Sequence, residues 1–575
     1  MLAVALADPR LETGLYDDWA YARTVQALAA TGHLRYFGAS NPLLGVQAFW
    51  GALWVWLFGF SFTLLRLTTL PVAAGCALLL YALGRRAGLV PVLSLFGTLV
   101  IVLSPIFVPL AASFMTDVYG FFFLLACVYG CVRAVAADED RVSFGARAAW
   151  LTMGAGMGFL GGSARQTVWL APLVLLPWCA LVALFWQRGP SGRKDAARLA
   201  ATAGVLWAAV GGAAFACLRW YAAQPYSLPD NPLAGLADVV RRAPFLPADL
   251  FAFVLTGLLL SLPVFAATVR AWREAGRRAS VIVWAVVLLV CLGGPFVRFG
   301  DRAFAPWARN FVTRWGVSLP NETLIGTRGQ TLPFVVWAVL SLTVYVLLAT
   351  LLIAAGTYLW ERRGEVKRLA SRHAALPAPT LTVCGAFALF AAVYLPPLAP
   401  RAAQGNVFDR YVLLVLPAVT IPVLLFHQRR VGPALSLWAW GTLAVFGVYS
   451  VATTHDYLAM SRARLQAASA LMAAGVPRTQ IVAGVEFDGW TQIEANGYVN
   501  DPRIVVPPGA YHPRGADGEM GQADDLFWFL PWTPAITPRY VIALSPSQSL
   551  LPSSFAPVRY ARWLALGGDD PHRPK

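Results

Sequence analysis

Residues 117–136, DVYGFFFLLACVYGCVRAVA, form a predominantly apolar run of the length an α-helix needs to cross the hydrocarbon of a bilayer. It opens on an acid, Asp117. Comparable runs lie near 62–83, 90–107, 148–164, 168–187, 200–218, 249–269, 280–298, 333–358, 379–398, 411–427 and 433–453, so the reading predicts twelve spans. Composition agrees: 58% of the 575 residues are hydrophobic, 13% are charged, and mean hydropathy is positive. The predicted fold is mainly α, a polytopic transmembrane helix bundle.

The formal charge of +16 would suggest a nucleic-acid partner in a soluble domain. Here most Lys and Arg occupy short connections between apolar runs, where they set orientation, so no nucleic-acid partner is expected. Alternate connections are basic: Arg85 and Arg86; Arg188, Arg193, Lys194 and Arg198; Arg270, Arg273, Arg277 and Arg278; Arg362, Arg363, Lys367, Arg368 and Arg372; Arg429 and Arg430. These connections belong in the cytoplasm. The other face then receives Asp17 and Asp18, the loop before Asp117, segments 219–248 and 299–332, and everything after His455. Three regions result: a first extracytoplasmic loop over 1–61, the bundle over 62–454, and a small extracytoplasmic α/β domain over 455–575.

Two stretches strain this scheme. Pro42 to Phe60 is nearly long enough to cross, but Trp50, Trp54 and Trp56 favour a helix lying in the headgroup boundary. Arg298, Arg302, Arg309, Arg314 and Arg328 face only Asp301 and Glu322, leaving a +3 loop on the translocated side. Such guanidinium forks suit phosphate oxygens, whether of a ligand or of lipid headgroups.

In the tail, Ser461 is placed to cap a helix carrying Leu465, Ala468, Leu471 and Met472 and ending at Gly475 and Pro477. Strand-like runs follow at Gln480 to Val485, Arg503 to Val506 and Tyr540 to Leu544. Phe527, Trp528, Phe529 and Trp532 read as a small core, with a membrane foot or a sugar-stacking platform as the other readings. The seven cysteines all lie in apolar runs, which argues against a disulfide framework or zinc site. No GxxxxGK[ST], HExxH or GxSxG occurs, so nucleotide hydrolysis, zinc proteolysis and serine hydrolysis lack support.

What the translocated loops do hold is acids, arginines and aromatics. The octet YDDWAYAR, Tyr16 to Arg23, sets two adjacent acids ahead of the first long span. Acids at the mouth of a bundle persist where they face water or do chemistry. The plainer reading is a helix start, with the carboxylates complementing the helix dipole.

YDDWAYARTVQALAATGHL (16–34) and NPLLGVQAFWGALWVWLFGFSFTLLRL (41–67) resemble the first extracytoplasmic loop of C-type (GT-C) glycosyltransferases, in the branch of the protein O-mannosyltransferases and the lipid A aminoarabinose transferase. SFMTDVYGFFFLL (113–125) resembles their second acidic loop, GGSARQTVWLAPLVLLP (161–177) the basic turn before the next span, and FDRYVLLVLP (408–417) the Arg-Tyr start of a late span. GVPRTQIVAGVEFDGW (475–490) is similar to the extracytoplasmic domain of bacterial members.

The resemblance implies transfer of a sugar from a polyprenyl-phosphate donor to a hydroxyl of a lipid, glycan or protein acceptor. It implies an active site on the outer face of the cytoplasmic membrane. Asp17 would be the general base, Asp18 and Asp117 would orient the acceptor or a cation, and Tyr21 and Tyr411 would contact substrate. Arg165 and Arg410, with Arg302, Arg309 and Arg314 behind them, would take the donor phosphate. A divalent cation is the one cofactor left open. Plainer readings stand beside these: Asp117 as a helix cap, Arg165 and Arg410 as snorkelling anchors. The family also carries a span ahead of its acid pair, whereas Met1 to Leu15 offers only LAVALA, so a truncated start and thirteen spans in all are expected. The rival class is a flippase or transporter of lipid-linked sugars, which predicts polar groups near the bilayer midplane.

Overall fold

The computed structural model describes residues 1–135, 143–186, 190–229, 246–268, 304–308, 310–317, 324–326, 328–349, 351, 378–403, 407–504, 527–547 and 550–564. Its amino-terminal region is helical: α1 (Leu2–Leu6), α2 (Asp18–Thr31), α3 (Gly45–Phe58), α4 (Phe62–Arg86), α5 (Pro91–Val102), α6 (Phe107–Ala111), α7 (Thr116–Val135), α8 (Phe144–Ala164), α9 (Leu170–Trp186) and α10 (Pro190–Ala222). Six helices among the described residues are long and apolar enough to cross a membrane, or seven if Asp249–Leu260 and Leu262–Thr268 form one bent span. The chain is thus a mainly helical, multi-pass membrane protein. The expected span at 280–298 lies outside the described residues.

Local chemistry explains where helices start and stop. Ser61 caps α4 by accepting from the Leu64 amide, and Glu12 accepts from the amides of Phe62 and Thr63 beside it. Arg85 and Arg86 close the same helix, where positive charge complements the dipole. The run expected to cross over 90–107 is instead α5, a turn, and the short α6. At twelve residues α5 is about 18 Å long, and Pro105, lacking an amide, prevents its extension. The 62° bend between Leu260 and Leu262 falls beside Pro263 for the same reason.

The centre of the bundle is α7, buried along nearly its whole length, while α10 leaves most of its apolar surface outward. Lipid is as apolar as leucine, so these helices are held by close packing more than by hydrophobic expulsion. Glycine supplies that closeness where α7 meets α8. A Cβ on Gly130 would lie 2.8 Å from the Gly154 Cα, and one on Gly161 would lie 2.5 Å from the Phe123 Cβ. The fourteen-residue α3 is too short to cross. Phe49, Leu53, Trp56 and Leu57 form its exposed apolar stripe, while Trp50 donates to the Thr68 carbonyl.

Toward the carboxy terminus a single helix, Leu437–Ala473, runs unbroken through the boundary expected at residue 455. Ser461, expected to open a tail helix, is therefore an interior, fully buried residue, and the helix ends before Gly475 and Pro477. Beyond it, β3 (Ile481–Val482) pairs in parallel with β4 (Tyr540–Val541), and a helix spans Val485–Asn496. An antiparallel hairpin, β1 (Val312–Thr313) with β2 (Gly316–Val317), lies between two of the bundle's helical segments in sequence. No strand forms at Arg503 and Ile504, and the rest of that expected strand is outside the described residues. Phe527 and Phe529 are buried with Val482, Leu530 and Ile536, whereas Trp528 is exposed. This end is not a detached module: Trp19 of α2 occupies the space a side chain at Gly489 would need, 2.4 Å from its Cβ, and Trp490 stacks on Phe60.

Candidate functional site

The two neighbouring acids point in different directions. Asp17 stands at the N-cap position of α2, yet its side chain makes no capping bond. Its carboxylate is half exposed, and the Arg410 guanidinium donates to Oδ2 over 3.4 and 3.5 Å. Asp18, 1% exposed, accepts from the Leu15 amide at 2.5 Å and the Phe114 amide at 3.2 Å, and lies 3.7 Å from Arg66 Nε. Arg66 in turn donates to the carbonyls of Leu11 and Thr13. Burial pushes the Asp18 carboxyl up to about 6, against the opposing pull of Arg66 and of the two amides. Both Asp18 oxygens are thus engaged by backbone amides inside the protein, and the residue fastens the acidic loop to the turn before α7.

The second acid meets its own arginine. Asp117 Oδ1 is 2.8 Å from Arg165 Nη1, with both side chains largely buried, and the same Nη1 lies 3.3 Å from Thr116 Oγ1. Arg165 ends α8 in an extended conformation and starts the turn Gln166–Trp169. That turn is possible because residue 162 is glycine: a Cβ there would fall 1.9 Å from the Trp169 ring. The Arg165 stem then lies over Gly120, one turn into α7, where a Cβ would meet its Cδ at 3.1 Å. Among the described residues the buried Asp117 Oδ2 has no hydrogen-bond partner, nor do Arg165 Nε and Arg410 Nε.

Tyr411 joins the two pairs. The guanidinium of Arg165 sits 5.2 Å from its ring centre and that of Arg410 5.9 Å. A third, Arg401 in the helix Leu398–Ala403, is 5.9 Å from the ring and donates to the Tyr411 hydroxyl at 3.3 Å. Tyr394 donates to the Tyr411 carbonyl at 3.2 Å. Tyr21 is buried within the field of Asp17, Arg410, Asp117 and Arg165; burial, then the charge of Asp17, pushes its phenol well above the usual range. It stays a neutral hydrogen-bond donor.

Asp409 sets the position of Arg410. Fully buried, it accepts from the amides of Asn310, Phe311 and Val312 at 2.7 to 3.3 Å, which fixes the hairpin segment beside the site. The Phe311 ring then lies 5.8 Å from the Arg410 guanidinium and packs at a tilt against Tyr16, ring centres 4.3 Å apart, directly before the acid pair.

Asp17, Asp117, Arg165, Arg410, Tyr21 and Tyr411 therefore share one region, and Asp18 does not face it. Arg314 sits 5.6 Å from the Phe334 ring, with its carbonyl accepting from the Thr331 amide. Arg302 and Arg309 lie outside the described residues. Sequence reasoning missed Arg401, Tyr394 and Arg66. An arginine at the mouth of a span was the available signal for Arg401; Arg66 sat inside an expected span, which alone marks it as unusual. Among the described residues no group of three His, Cys, Asp or Glu side chains could hold a metal ion. With Asp17 and Asp117 each engaged by an arginine, the described residues offer a set that suits an oxyanion better than a divalent cation.

No protein-family model matches the chain, and no curated protein matches it. Among solved structures it is similar to ArnT from Cupriavidus metallidurans bound to undecaprenyl phosphate, at 14% identity and a TM-score of 0.39, over 83% of this chain and 72% of that one. The same protein in its apo state aligns at 15% identity and a TM-score of 0.30, over 75% of each chain. The oligosaccharyltransferase of Archaeoglobus fulgidus in the apo form aligns at 15% identity and a TM-score of 0.40, over 94% of this chain and 64% of that one.

Proposed function

We propose that this chain is an integral membrane glycosyltransferase that moves a sugar from a polyprenyl-phosphate donor to a hydroxyl acceptor on a lipid, glycan or protein. The observation that carries the reading is the meeting of two carboxylate–arginine pairs around Tyr411, with buried acceptor and donor atoms left unsatisfied. Sugar transfer from a lipid phosphate needs a base for the attacking hydroxyl and cations for the departing phosphate. The motif resemblance supports the same chemistry.

In this mechanism Asp17 takes the acceptor hydroxyl proton as that oxygen bonds to the anomeric carbon. The bond from that carbon to the donor phosphate oxygen breaks, and its electron pair leaves on the polyprenyl phosphate. Arg410 and Arg165, with Arg401 beside them, stabilise the developing phosphate charge. The free Oδ2 of Asp117 accepts a hydrogen bond from a substrate hydroxyl, and Tyr21 donates one to the sugar. The site faces the outer side of the cytoplasmic membrane, as the basic connections imply. The test is transfer of labelled sugar from a polyprenyl-phosphate donor by purified wild type and Asp17→Asn. Unchanged transfer in the variant sinks the base assignment; lipid exchange across proteoliposomes with no glycosidic bond formed favours a flippase.

A further inference from the structure

The arginine-rich segment between the late spans contains a second cationic centre that the transfer chemistry does not use. Arg328 is 3% exposed, and among the described residues none of its three guanidinium nitrogens has a hydrogen-bond partner. A buried cation whose donors find no acceptor is costly, so an unfilled guanidinium fork marks the place of an acceptor. The protein around it supplies more donors. Arg562 reaches in from the carboxy-terminal segment: its Nη2 donates to the Gly329 carbonyl at 3.0 Å, and among the described residues its Nε has no hydrogen bond. Among the described residues the carboxylate nearby is that of Asp456, which is already taken by the amides of Trp563 and Leu564 at 2.7 and 3.1 Å and lies 4.0 Å from Arg562 Nε.

The walls are ordered segments of the fold. Gly316, at φ +108°, brings the β1–β2 hairpin so close that a Cβ there would lie 3.5 Å from Arg328 Nη2 and 3.6 Å from the Thr453 Cβ. His455 stacks on Trp563 with ring centres 3.9 Å apart, and both residues bond to the Asp456 carboxylate. Two guanidinium groups, one on each of two chain segments far apart in sequence, match the several lone pairs of a tetrahedral oxyanion better than a single carboxylate.

We propose that Arg328 and Arg562 bind a phosphate oxyanion, free or in a lipid headgroup, which locks residues 560–564 onto the hairpin and the Leu437–Ala473 helix. This centre is built from other residues than the Asp17 and Asp117 pairs, and it stands or falls independently of the transfer reading.

The test is thermal unfolding of the full-length protein at constant ionic strength. One arm titrates inorganic phosphate against chloride in detergent; the other compares phosphatidylcholine nanodiscs with and without phosphatidylglycerol. The expected result is a saturable rise in midpoint in at least one arm, which also identifies the source. Arg328→Gln is expected to need on the order of tenfold more anion for the same rise, the loss of charge-assisted hydrogen bonds. Arg562→Gln, on a less buried side chain, gives the same readout if Arg328→Gln does not fold. No saturable response in either arm, an equal response to chloride, or an undiminished response in the variants overturns the site.

Discussion

Asp17 and Asp18 are adjacent in sequence, and their replacement is expected to give opposite phenotypes. Among the described residues the Asp17 carboxylate pairs with Arg410, at 3.4 Å, and is half exposed, so Asp17→Asn should change stability by no more than about 1 kcal/mol, as exposed ion pairs do. If it is the base, the same change should slow transfer by about 10²- to 10⁴-fold, roughly 3 to 5 kcal/mol in the barrier. Asp18→Ala leaves the buried amides of Leu15 and Phe114 without acceptors and Arg66 without its carboxylate. Breaking a buried pair of this kind is worth about 3–5 kcal/mol. The assay runs both variants side by side: unfolding midpoint in detergent, and labelled-sugar transfer by the folded fraction. Equal destabilisation by the two variants, or a transfer rate for Asp17→Asn within tenfold of wild type, would refute the division of labour between them.

Asp18 also predicts a pH dependence. Its folded value near 6 lies above the ordinary 3.8, so the folded state holds the proton more tightly, and stability falls as pH rises from about 4 through about 6; midpoints for Asp18→Asn across that window should show the fall reduced. Asp409→Ala removes the acceptor for three backbone amides, at about 1–3 kcal/mol for each group left unsatisfied, and should both lower the midpoint and slow transfer by loosening Phe311 against Arg410. Limited proteolysis at 310–317 reports the loosening directly. Gly489→Ala drives a methyl into the Trp19 ring at 2.4 Å, an overpacking of about 1–3 kcal/mol that a thermal-unfolding midpoint measures.

The length of apolar runs made much of the bundle legible: the stretches expected at 62–83 and 117–136 are the helices Phe62–Arg86 and Thr116–Val135. Run length says nothing about breaks inside the apolar stretch, which is why 90–107 misled; Pro105 was the available signal. The continuity of Leu437–Ala473 was hidden for the converse reason. Side-chain polarity changes near residue 455, but backbone hydrogen bonding continues regardless of what the side chains face. Charges at the mouths of spans singled out Asp17, Asp117, Arg165 and Arg410, which the structure brings to one region. Asp18 could not be separated from Asp17 because which carboxylate turns inward depends on Arg66 and Phe114, far away in sequence. Arg401 and Tyr394 likewise owe their place to a tertiary contact with Tyr411.

The helix Leu437–Ala473 has 37 residues and is about 55 Å long, against roughly 30 Å of hydrocarbon. Side-chain polarity changes near residue 455, so only the first half of this rod is matched to lipid; a change of bilayer thickness re-tilts that half and swings the projecting half with it. Tyr457 on that rod stacks on Tyr16 with ring centres 5.1 Å apart, one residue from Asp17. Acyl-chain length thus has a mechanical route to the acid pair, and transfer rates in reconstituted membranes of graded thickness should pass through an optimum.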